Sequence, residues 1–86
     1  MNQDYLVYAN FAYNLQDAHE ELTKILELIK PNSEFDEEYF EVKMAHLYWH
    51  LNNAWNTRNI SGEQLESADG KQMNLWGEFP KDLKPL

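Results

Sequence analysis

Residues 5–29 read YLVYANFAYNLQDAHEELTKILELI, and the spacing of their apolar side chains decides the fold. Tyr8, Leu15, Leu22 and Ile29 stand seven residues apart. Phe11, Ala18 and Ile25 recur at the other heptad position, with Ala12 and Leu26 beside them. Side chains at this spacing share one face of an α-helix, and two such rows make a packing seam. No Gly or Pro interrupts the run, and Glu20–Lys24 is an i,i+4 pair in the favourable order. The pattern predicts a first helix over about residues 3–29.

Pro31-Asn32-Ser33 ends it, because a residue before proline is pushed away from helical dihedrals. Ser33 is the expected cap of a second helix over about residues 34–57. Glu34, Asp36, Glu37 and Glu38 crowd its first turn, where the helix dipole favours negative charge. The expected packing stripe is Phe40, Met44, Leu47, Leu51 and Ala54. Two long helices joined by a short break predict an all-α antiparallel hairpin.

Beyond Asn59 the periodicity fails. Residues 60–86 hold all three glycines and two of the three prolines, yet Ile60, Leu65, Met73, Leu75, Trp76, Phe79 and Leu83 are too apolar for a disordered tail. Short helical turns are expected over 63–68 and 71–76, within an irregular arm docked on the hairpin. Residues 1–86 therefore read as one helical domain.

The segment HLYWHLNNAWNTRN, residues 46–59, concentrates the polar and aromatic side chains. At 100° per residue, Tyr39, Val42, His46, Trp49, His50 and Asn53 form a second face of helix 2. Helix 1 is expected to leave it to the arm or to a second copy. Glu38, Glu41, Ala45, Asn52 and Asn56 then form the solvated strip. His46 and His50 have the H-x-x-x-H spacing of half a zinc site, but the glutamate of H-E-x-x-H is replaced by Leu47 and a third ligand is missing. The asparagines are poor helix formers, so their crowding points to hydrogen bonds with the arm's backbone. Arg58 falls on the packing stripe opposite the start of helix 1, where Asp4 is its expected partner.

Composition limits the function. A formal charge of −8, from 15 acids and 7 bases, argues against nucleic acid and anionic membranes. The absence of cysteine excludes disulfides, iron–sulfur clusters and thiol catalysis. No basic leader or long apolar run appears, so a cytoplasmic setting is expected. No Gly-rich phosphate loop, nucleophile elbow or serine beside histidine is visible, and the sequence reads as a non-enzyme without a cofactor. The expectation is a small acidic interaction module, an adaptor, immunity or antitoxin-like regulator. It would pack Tyr39, His46, Trp49, His50, Asn53, Trp55 and Arg58 against a protein partner or a second copy. The alternative is a small-ligand or metal-binding protein using His46, His50, Asn53 and the nearby Trp residues.

Overall fold

The computed structural model describes residues 5–31 and 34–86. Four helices follow in order: α1 (Tyr5–Leu28), α2 (Glu37–Asn56), α3 (Gly62–Ser67) and α4 (Gly70–Trp76). No strand occurs among the described residues. α1 matches the uninterrupted heptad run. α2 begins three residues later than expected, because Asp36 caps it. Asp36 is extended (φ −99°, ψ 104°) and its Oδ1 accepts from the Tyr39 N–H at 3.1 Å. Glu37 and Glu38 remain in the first turn, where the dipole favours them. Ser33, the expected cap, lies outside the described residues, as does Asp4.

α1 and α2 pack along their length, and polar contacts set their register. Asn10 Nδ2 donates to Thr57 Oγ1 at 3.0 Å. Asn14 Oδ1 lies 3.0 Å from His50 Nδ1. Glu21 Oε2 lies 3.3 Å from Lys43 Nζ. The pairing ascends α1 as it descends α2. The α1 seam is thus Val7, Phe11, Asn14, Ala18, Glu21, Ile25 and Leu28, each buried or half-buried. On α2 it runs through Lys43, Leu47, His50, Ala54 and Thr57.

The observed seam differs from the one that apolar spacing predicts. The Phe11/Ala18/Ile25 row does face α2, but its companion is the half-polar row Val7/Asn14/Glu21/Leu28. Tyr8, Leu15, Leu22 and Ile29 point outward, with exposures of 43%, 39%, 44% and 57%. The α2 stripe shifts likewise, and Leu51 is left 40% exposed. The apolar core is thin: Val7, Ala18, Ile25 and Ala54 are its fully buried members among the described residues.

The arm folds back over both helices. Ser61 caps α3 with a capping box: its Oγ accepts from the Gln64 N–H, and Gln64 Oε1 accepts from the Ser61 N–H. Asp69 caps α4 by accepting from the Gln72 N–H at 2.8 Å. α3 packs on α1 and α4 on α2. After α4 the chain passes so close to α2 that a Cβ on Gly77 would fall inside the Trp49 ring. Phe79 then meets Tyr48 edge to face, with centroids 5.2 Å apart.

Candidate functional site

The polar segment of α2 splits between two neighbours. One side of it enters the seam with α1. Asn14 Nδ2 donates to the Asn10 carbonyl at 3.1 Å, which leaves Asn14 Oδ1 as an acceptor and assigns a ring proton to His50 Nδ1. The other ring nitrogen, Nε2, lies 3.7 Å from Asp17 Oδ2. The Tyr13 ring stands edge-on to His50 at 6.1 Å. Its hydroxyl donates to Asp17, and that hydrogen bond, together with the carboxylate's charge, raises the phenol above its ordinary value. Thr57 Oγ1 donates to the Asn53 carbonyl at 2.6 Å while accepting from Asn10. A chain of side chains thus runs Tyr13–Asp17–His50–Asn14–Asn10–Thr57 through the helix contact.

A second polar knot lies further along the seam. The Glu21 carboxylate gathers Lys43 at 3.3 Å, and Lys24 and His46 at 4.0 Å. Glu21 Oε2 is buried and accepts no directed hydrogen bond, so the Lys43 ammonium is what balances it. Lys43 also lies over the Tyr39 ring, 5.2 Å from its centroid.

The other side of the segment holds the arm. Asn52 Nδ2 donates to the Gly77 carbonyl at 2.9 Å. Asn56 Nδ2 donates to the carbonyls of Trp76 and Glu78, at 2.8 and 2.9 Å. These amides satisfy carbonyls that no helix or sheet pairs, the demand the asparagine cluster pointed to. Asn52 and Asn56 are consequently not a solvated strip: Asn52 is buried and Asn56 half-buried. The Trp55 indole N–H donates to Asp82 Oδ1 at 3.0 Å. Arg58 reaches Asp82 Oδ2 at 3.2 Å, donates to the Trp55 carbonyl at 2.7 Å, and stacks on the Trp55 ring at 3.7 Å. The indole hydrogen bond, then the guanidinium, hold the Asp82 carboxyl below its usual range.

The residues expected to form one binding face therefore disperse. His50 faces α1, so helix 1 does reach this side of α2. Asn53 is buried and donates to the Trp49 carbonyl at 3.1 Å. Trp49 is covered by Gly77, and Trp55 and Arg58 engage Asp82 of the arm. Tyr39, Val42 and His46 stay exposed. Among the described residues no three His, Asp or Glu side chains converge as a metal would require. No helix there is long and apolar enough to cross a membrane.

Besides a groove of about 470 Å³ along Ala45, His46, Trp49 and His50, two apolar surfaces stand out among the described residues. One is a groove of about 570 Å³ between α2 and the tail, lined by Tyr48, Leu51, Trp55, Phe79, Pro80 and Leu83. The other is the outer row of α1, which heptad spacing singled out but assigned to the core. Its heptad signal was in the sequence. What hid its role was the polar row beside it, which apolar periodicity does not count. No known protein family matches the chain, and no curated protein or solved structure is recognisably similar to it.

Proposed function

We propose that this chain is a non-catalytic, all-α interaction module: an antiparallel two-helix hairpin, braced by its arm, that works by packing the outer face of α1 against protein. One observation carries the reading. Tyr8, Leu15, Leu22 and Leu26 share a face of one helix and are 39–54% exposed. Contiguous apolar patches of this kind are uncommon on monomers and mark interaction surfaces. The expected face on α2 is mostly used internally, so the partner surface moves to α1.

The polar clusters support a structural role. His50 Nδ1 is held by Asn14 Oδ1 and its Nε2 faces the Asp17 carboxylate at 3.7 Å, so the ring is fitted into the contact between the two helices. Ser61 caps α3, and Ser67 Oγ bonds the Gln64 carbonyl, so neither is poised as a nucleophile.

The test replaces Leu15 and Leu22 together by Gln. An interaction face is not needed by the isolated fold. Circular dichroism of the dilute chain should keep its helical signal and melting temperature, while binding of an apolar dye falls. Loss of the helical fold would show that the row is structural and refute the reading.

A further inference from the structure

We infer that the occupant of the α1 face is a second copy of this chain, packed α1 against α1 in opposite directions about a twofold axis near the middle of the helix. This rests on the interaction reading and adds the identity of the partner.

The row itself has coiled-coil spacing. Tyr8, Ala12, Leu15, His19, Leu22 and Leu26 alternate steps of four and three, and all six are exposed. The flanks decide what can sit there. On its open side the row is flanked by Ala9, Gln16 and Thr23, all exposed; on the other side lie Phe11, Ala18 and Ile25, which are taken up by the contact with α2. None is charged, although the chain carries −8 overall. The acids of α1, Asp17, Glu20, Glu21 and Glu27, all fall outside these positions. A basic partner helix would be met by acidic flanks, where coiled coils place pairing charges. A neutral strip instead suits a partner whose own strip is neutral and whose charge sits elsewhere, as is the case for a second copy. It lets two acidic chains meet without opposing carboxylates across the contact.

Size complementarity sets the direction. In a parallel pair each layer meets itself, so Ala12 faces Ala12 and leaves a gap. In an antiparallel pair Ala12 faces Leu22, setting small against large as close packing requires, while Leu15 faces His19 and Tyr8 faces Leu26. Antiparallel α1 helices also oppose their dipoles. The thin core also favours association, since among the described residues two of the four buried apolar side chains are alanines. A chain this small gains stability by adding a shared core.

The full-length chain should sediment as a dimer and dissociate on dilution, and Leu22→Glu should weaken the dimer by about tenfold or more. The chain has no cysteine, so Ala9→Cys and Gln16→Cys each give one attachment point for a spin label. Dipolar spectroscopy on each labelled dimer should find the Gln16 labels close together. The Ala9 labels should lie at least about 20 Å apart, from the rise per residue between opposed helix ends. Short distances at both positions mean a parallel pair and overturn the proposed geometry. If the wild-type chain stays monomeric at high concentration and Leu22→Glu remains folded, the second copy is refuted while α1 stays a face for another protein. If dilute Leu22→Glu is unfolded, the row is structural and both readings fall.

Discussion

Gly77 shows how closely single residues are fitted where the arm crosses α2. Any Cβ there would enter the Trp49 ring, so either the indole or the arm must move. Gly77→Ala should destabilise the chain by about 1–3 kcal/mol, the usual cost of overpacking, as read from chemical denaturation. A few residues on, Asp82 ties the tail to Trp55 and Arg58. Its carboxyl is depressed in the folded chain, chiefly by the indole hydrogen bond. The folded state therefore holds fewer protons there than the unfolded one. The tether is complete above the ordinary aspartate range of about 4 and is lost as pH falls through the depressed folded value. The Trp55 indole N–H resonance should report this transition in acid. In Asp82→Asn that transition should be absent; one that persists would place its origin elsewhere. The Arg58–Asp82 contact was not legible, because no spacing rule relates residues 58 and 82 across an irregular arm; the partner that helix geometry suggests, Asp4, lies outside the described residues.

At the scale of the elements, sequence periodicity located both helices and one row of the α1 seam. It missed the other because Asn14, Glu21, Lys43 and His50 are polar, and the contacts that bury them come from the opposite helix. A method that counts apolar side chains assigns such positions to solvent. The consequence for stability is an inversion of the expected ranking. Ile25 is 6% exposed, and Ile25→Ala should cost about 2–5 kcal/mol. Leu22 is 44% exposed, and Leu22→Ala in the dilute chain should cost about half a kcal/mol or less, as surface changes do. Equal losses for the two would contradict the seam. The Glu21–Lys43 pair, with each side chain 13% exposed, should behave as a largely buried ion pair. Lys43→Met strands the carboxylate and should cost about 2–3 kcal/mol, less than a fully buried pair because some solvent contact remains. Adding Glu21→Leu should recover most of that loss, because an apolar pair needs no compensation. The polar pairs then serve register: sliding α2 by one turn would strand Glu21 and His50 together.

For the whole molecule, the sequence made the helical class, the break at Pro31 and both short arm helices legible. The tertiary role of the arm was only half legible. Asn52 and Asn56 looked like a solvated strip because helical angle alone cannot show an irregular segment lying across it. The arm shelters Trp49, Trp55 and Tyr48 in part, and a chain ending at Asn59 would bare them. That truncation should melt at a lower temperature and scatter light on heating, from newly exposed aromatic surface. A truncation with unchanged melting would mean that the arm adds nothing to the hairpin.

The asparagine contacts also bear on time. The segment after α4 hangs on side-chain amides of Asn52 and Asn56, not on a backbone ladder. Those amides belong to a helix that keeps its own main-chain bonds whether or not the arm is present. The arm can therefore detach and redock while α1 and α2 stay together, giving the native state two tiers of opening. Hydrogen exchange should resolve them. Protected amides of α4 and of Gly77 and Glu78 should exchange through a low-energy local opening, and the centre of α1 only through global unfolding. Denaturant at sub-unfolding concentrations should accelerate the second set more steeply, because more surface is exposed in that event.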